Sequence, residues 1–216
     1  MSTVAESLAD EPFDLPLLGS ERVFDGRVWD IRRDAFEFGG NRIEREYMDH
    51  PGAVAVLALD DDDRAFLIKQ YRHPVRTRDW EIPAGLLDVH GEDPLAAAKR
   101  ELAEEADLEA SEWAVLVDFF TSPGGSDEAI RVYLARGLTA TAHVFAREDE
   151  EADMETRWVP LDECVDAVLA RRLQNPSLAI GVLAAHTART REWQSLGPAD
   201  AAWPGRPTPR RDPTAP

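Results

Sequence analysis

Hydrophobic and polar positions change period several times along the chain, and each change marks an element. From Glu21 to Met48 the pattern is strand-like: RVFDGRVWDIRRDAFEF, then FGGN as a turn, then NRIEREYM. This predicts a small antiparallel meander. Two β-rich apolar runs follow, GAVAVLALD and RAFLIKQYR, joined by the polar stretch Asp60–Asp63, which predicts a hairpin. WEIPAGLLD is then a short extended stretch that reaches a loop.

The period shifts to that of a helix over Pro94 to Leu108. Asp93 suits the N-cap and Pro94 the first helical position. Leu95, Ala98, Leu102 and Ala106 form the apolar stripe. Strands are expected at WAVLVDFF and IRVYLARGL, with TSPGGSDE as the loop between them. The acidic stretch Arg147–Thr156 reads as a loop before a short strand at RWVPL. Helices over Leu161 to Leu173 and Ser177 to about Trp193 close the pattern. The expected organisation is a loose arm (1–19), an N-terminal β-meander (20–50), a main domain (51–196) and a flexible proline-rich tail (197–216). Strands interleaved with a few helices imply a mixed α/β core.

Composition narrows the function classes. The chain has 216 residues, 44% hydrophobic and 31% charged, which is ordinary for a globular protein. A net charge of −18 disfavours nucleic acid and anionic membrane surfaces as partners. Cys164 is the single cysteine, so no intrachain disulfide forms, and it sits in an apolar helical stripe that reads as core. The five histidines show no zinc spacing and read as surface or satisfied residues. No apolar run approaches the roughly 20 residues that span a bilayer. The acidic N-terminus lacks a basic start and an apolar segment, so the expected compartment is the cytoplasm.

Within the helix, KRELAEEADL gathers Glu101, Glu104 and Glu105 at one-turn spacing. Like charges so placed cost a helix roughly 0.2–0.5 kcal/mol per pair. An isolated Glu-Glu pair on such a helix is usually a solvated face. Here it belongs to a longer register, GLLDVHGEDPLAAAKRELAEEADL, with Glu92 seven residues before RELAEEADL.

This stretch resembles the Nudix hydrolase signature: Gly, five residues, Glu, seven residues, then Arg-Glu-apolar-x-Glu-Glu-x-Gly-apolar. Two positions depart from it. Six residues separate Gly85 from Glu92, and Asp107 stands where the family has glycine. The extra loop residue changes closure entropy little. Asp107 reads as a helix stop, since Asp visits the left-handed region more readily than most residues. The resemblance implies an α/β/α sandwich with a mixed sheet, preceded by the small antiparallel β domain. It also implies Glu101, Glu104, Glu105 and the Ala84 carbonyl as ligands of Mg²⁺, with Mn²⁺ as the alternative. Carboxylate oxygens suit such hard cations. Arg100 is placed to pair with a carboxylate, Glu92 being the expected one.

Pro123, fifteen residues after Leu108, together with WEIPAGLL and IKQYRHPV, is similar to the ADP-ribose pyrophosphatase branch of that family. That branch implies Mg²⁺-dependent hydrolysis of ADP-ribose to AMP and ribose 5-phosphate by a homodimer. It also implies a general base in the acidic loop, Glu150 first and Glu151 next. Arg72 is the expected phosphate or ribose contact and Trp29 an adenine stack, β-core packing being the alternative for Trp29. Glu81, Ser122, Pro123 and Glu128 complete the expected substrate contacts. Competing readings are hydrolysis of another nucleoside diphosphate sugar or an NADH-like dinucleotide, a ligand-sensing regulatory module, and an acidic cation-binding scaffold.

Overall fold

The computed structural model describes residues 8–142, 145 and 154–206. They fall into two compact units, divided between Asp49 and His50. The first unit is a three-stranded antiparallel meander of β1 (Leu17–Phe24), β2 (Asp30–Phe38) and β3 (Asn41–Asp49). Phe38 pairs with Asn41 across Gly39 and Gly40. Both glycines have positive φ, +60° and +78°, as a two-residue hairpin turn requires.

The second unit contains β4 (Ala53–Ala58), β5 (Arg64–Arg72), β6 (Thr77–Glu81), β7 (Ala84–Leu86), α1 (Pro94–Ala106), β8 (Leu108–Phe120) and β9 (Ala129–Ala140). It continues through β10 (Glu155–Pro160), α2 (Leu161–Leu169), α3 (Pro176–Thr190) and β11 (Gly197–Pro198). The main sheet runs β11-β8-β9-β4-β7, and a second sheet runs β10-β5-β6. β4 and β9 are parallel, whereas β4 with β7 and β8 with β9 are antiparallel, so the sheet is mixed.

β4 shows why the helices lie on both faces. Its sequence, AVAVLA, is buried throughout. Ala53, Ala55 and Leu57 share a core with Leu178, Val182 and Ala185 of α3. Val54, Val56 and Ala58 face the other way, onto Ala97, Ala98 and Leu102 of α1. A strand covered on both faces has no polar alternation to keep. The result is the expected α/β/α sandwich.

Three expectations are corrected. β4 and β5 do not form a ladder: beyond the bridge Leu59 to Ala65 they diverge into different sheets. Both edges of β4 are already taken, by β9 and β7. Residues 197–206 are docked rather than a free tail. Gly197 and Pro198 pair with Val115 and Ala114, and the buried Arg131 donates to the carbonyls of Ala201 (2.6 Å) and Ala202 (3.0 Å). The Arg131 guanidinium also lies 4.9 Å from the Trp203 ring, while Asp118 holds it through two bonds of 2.8 Å. α2 and α3 end earlier than their apolar pattern suggests. No helix among the described residues is long and apolar enough to cross a membrane.

Candidate active site

The site is built on α1 and on β7, the short strand beside it. Asp93 caps the helix, accepting from the backbone N–H groups of Leu95 (3.0 Å) and Ala96 (3.3 Å). Asp107 ends it in the left-handed conformation, φ 53° and ψ 36°, with its N–H directed to Ala103 and Leu102 carbonyls. The side chain of Asp107 accepts from the Phe145 N–H at 2.9 Å. The glycine position of the signature is therefore filled by an aspartate that adopts glycine's geometry.

The buried residues of α1 are Ala97, Ala98, Glu101, Leu102, Glu105 and Ala106, so two glutamates lie within the apolar face. Glu105 Oε2 accepts from the Ala84 N–H at 2.9 Å. Glu101 fills the space over Gly85, where an added Cβ would lie 1.9 Å from its Oε1. Gly85 is glycine because a carboxylate occupies the place of its side chain.

Arg100 organises the remainder. It grips Glu92 with Nε and Nη2, each at 3.0 Å, which is the expected pairing. Nη1 reaches Glu101 Oε1 at 2.6 Å and Glu104 Oε2 at 3.1 Å. These hydrogen bonds hold the Glu92 carboxyl below its usual range. Burial pushes the Glu101 carboxyl up, outweighing the adjacent guanidinium. Three carboxylates on one guanidinium, with Glu105 held separately by the Ala84 N–H, leave a net negative cluster of hard oxygen donors. Among the described residues no three acidic, imidazole or thiol groups already converge as a metal cage. The donor chemistry nevertheless fits a cation that keeps several of its waters and takes a few carboxylate oxygens.

Arg72 grips the buried Glu81 through Nε and Nη2, both at 2.7 Å, and Gln70 adds a longer contact of 3.4 Å. The two residues expected to meet substrate are thus a pre-formed pair. Trp29, in the N-terminal unit, is 39% exposed, which excludes the β-core alternative for it. Ser122 and Pro123 are exposed in the loop between β8 and β9, where the Ser122 carbonyl accepts from Gly125 and Ser126 N–H groups at 2.9 Å. Glu128 closes this loop and accepts from Thr121 Oγ1 at 2.6 Å. Glu150 and Glu151 lie outside the described residues.

His50 is a satisfied histidine, but sequence reasoning named none of its partners. It is buried, and its backbone N–H donates to Asp127 Oδ1 at 2.9 Å. Its ring Nε2 stands 3.4 Å from Glu128 Oε1. No local signal marks it, because its partners come from 77 residues away.

Comparison with known proteins relates most of the chain to a family. The chain is 45% identical over 196 residues to the ADP-ribose pyrophosphatase of Mycobacterium tuberculosis, covering 90% of this chain and 94% of that protein. It is 36% identical to the methanol dehydrogenase activator of Bacillus methanolicus, covering 79% of this chain and 91% of that one. It is also 36% identical to the ADP-ribose pyrophosphatase of Bacillus subtilis, with 76% and 89% covered. A crystal structure described as an ADP compounds hydrolase shares the fold, with a TM-score of 0.70 at 20% identity, over 85% of this chain and 98% of that one. A family model of the NUDIX domain matches residues 49–178, a span that contains β7, α1 and the whole carboxylate constellation. The chain belongs to the Nudix family.

Proposed function

We propose that this protein hydrolyses the diphosphate bond of ADP-ribose, giving AMP and ribose 5-phosphate. The observation that carries the reading is the Arg100 constellation: Glu92, Glu101 and Glu104 on one guanidinium, with Glu105 fixed to the Ala84 backbone. It sits in a chain whose relatives include pyrophosphatases named for ADP-ribose.

Glu101, Glu104, Glu105 and the Ala84 carbonyl would hold the divalent cation, Mg²⁺ first and Mn²⁺ as the alternative. When bound, such an ion neutralises diphosphate charge and lowers the pKa of a coordinated water. The chain supplies the arrangement. Arg100 fixes the loop carrying Glu92 to the helix, and Gly85 leaves room for the Glu101 carboxylate. Arg72, held by Glu81, offers its exposed edge to a phosphate or ribose. Trp29 stacks on adenine, and Ser122, Pro123 and Glu128 meet the distal ribose. Glu150, with Glu151 as the alternative, takes the proton of the attacking water.

We further propose that the protein acts as a homodimer. The N-terminal sheet exposes Leu17, Leu18, Phe24 and Phe38, an apolar set suited to burial against a second copy.

Incubation with ADP-ribose, ADP-glucose, GDP-mannose and NADH in the presence of Mg²⁺, with products resolved by chromatography, tests the reading. AMP and ribose 5-phosphate from ADP-ribose, faster than cleavage of the others, is the expected result. No cleavage of any of them overturns it.

A further inference from the structure

We infer that His50 is a positioning residue for Glu128, setting the carboxylate that receives the distal sugar. The inference deepens the proposed ADP-ribose reading and rests on it for the identity of what Glu128 meets.

The hydrogen bonds define the ring. Nδ1 of His50 accepts from the Gly52 N–H at 3.1 Å, so in the neutral imidazole the proton sits on Nε2. That nitrogen stands 3.4 Å from Glu128 Oε1. The other oxygen of Glu128 accepts from Thr121 Oγ1 at 2.6 Å, and its backbone N–H donates to Ser126 Oγ at 3.1 Å. The neighbouring Asp127 is tied back to the His50 N–H at 2.9 Å. One oxygen of Glu128 is therefore held by a hydrogen bond and the other lies beside the imidazole, while the side chain remains 23% exposed. An ionised carboxylate only accepts, with about four lone-pair sites over its two oxygens. Thr121 uses one of them, and those left suit a pair of vicinal hydroxyls and repel an anionic group.

The same corner reaches toward the carboxylate helix. The Gly52 carbonyl accepts from the Leu87 N–H at 3.0 Å, immediately beyond β7 and two residues from Gly85. β7 and β9 flank β4 on opposite edges. At about 4.8 Å per strand spacing, the two flanks lie roughly 10 Å apart. His50-Pro51-Gly52 thus joins the loop that ends in Glu128 to the segment that cradles Glu101. A residue that only stabilised a turn would not need the approach to Glu128.

The test compares His50→Ala, His50→Gln and Glu128→Gln on ADP-ribose and on the methyl ester of ADP, which lacks the distal hydroxyls. His50→Ala is expected to raise KM for ADP-ribose about tenfold with kcat within about threefold, leaving methyl-ester cleavage unchanged. His50→Gln keeps an N–H toward Glu128 and is expected to recover most of the loss. The double variant with Glu128→Gln should be no worse than Glu128→Gln alone. Equal losses on both substrates, or additive losses in the double variant, overturn the assignment. ¹⁵N NMR of the unmodified protein decides independently of turnover and of whether His50→Ala folds. The expected result is an Nε2–H tautomer whose resonance moves in Glu128→Gln. An Nδ1–H tautomer, or an unmoved resonance, overturns it. Wild-type protein inactive on ADP-ribose refutes the substrate reading alone, and the NMR result still settles the His50–Glu128 relationship.

Discussion

The Glu101 carboxylate occupies the volume in which a side chain at residue 85 would grow: a Cβ on Gly85 would stand 1.9 Å from Oε1 and 2.0 Å from Cδ. The obstructing atoms are the end of a flexible side chain, so the helix and strand need not part to admit a methyl group. What must move is the carboxylate.

Gly85→Ala is therefore expected to fold with a melting temperature close to that of the wild type while losing activity. Displacement of a reacting group by about 1 Å costs on the order of 100-fold in rate, and a loss of that size in kcat is expected. Thermal unfolding followed by circular dichroism, alongside turnover, checks both halves. A variant with native turnover would show that Glu101 need not sit over residue 85.

Arg100→Lys retains the charge but loses the fork that grips Glu92 through two nitrogens while reaching Glu101 and Glu104. We expect kcat/KM to fall about 10- to 100-fold, and the Mg²⁺ concentration for half-maximal activity to change as well. Amide exchange around Glu92 should speed up, since the loop loses its anchor to the helix. Unchanged exchange there would mean that the loop holds itself.

At Asp107 two effects oppose each other. A left-handed residue costs roughly 1–2 kcal/mol when it is not glycine, less for Asp and Asn. The carboxylate recovers part of this by accepting from Phe145 N–H. Asp107→Gly is expected to be near neutral in stability and fully active. Asp107→Ala loses both the small polar side chain and its bond, for a loss of about 1–2 kcal/mol. Urea unfolding of the two variants measures the difference directly, and inactive but folded Asp107→Gly would place Asp107 in the chemistry.

Cys164 is buried against Val159 and Val165, and burial pushes its thiol up from 9.0 to about 11. It should react with a thiol reagent at pH 8 far more slowly in the folded than in the unfolded protein. The folded state holds this proton more tightly than the unfolded state does. Its contribution to stability is thus complete below about pH 9 and disappears as pH rises toward 11. Cys164→Ala should reduce that alkaline loss, as read from unfolding free energies on either side of pH 9.

Much of this was legible in the chain before folding. The cap at Asp93, the stop at Asp107 and the Arg100–Glu92 pair all follow from local rules and one register. The hairpin expected at Asp60–Asp63 failed because tight-turn signals report chain reversal, not which edges the strands still have free. AVAVLA carries no alternation, so nothing local says that β9 takes one edge and β7 the other. The partners of His50 went unnamed because a lone histidine has no period, and its meaning depends on Asp127 and Glu128 arriving through the parallel β4–β9 pairing. Proline-rich composition pointed to a flexible tail from Gly197, yet Gly197 and Pro198 pair with β8. Docking there depends on a distant buried cation, Arg131, seeking carbonyl oxygens.

The docked segment also settles how the main sheet ends. β8 is thirteen residues long, and without a neighbour it would offer a row of free N–H and C=O groups to any passing strand. β11 covers only two of its positions, but its second residue is Pro198, which has no N–H to extend the ladder outward. At the opposite margin β7 is only three residues long. One margin thus ends on a residue that cannot donate and the other on a strand of three residues, which limits what either end of the five-stranded sheet offers to a further strand.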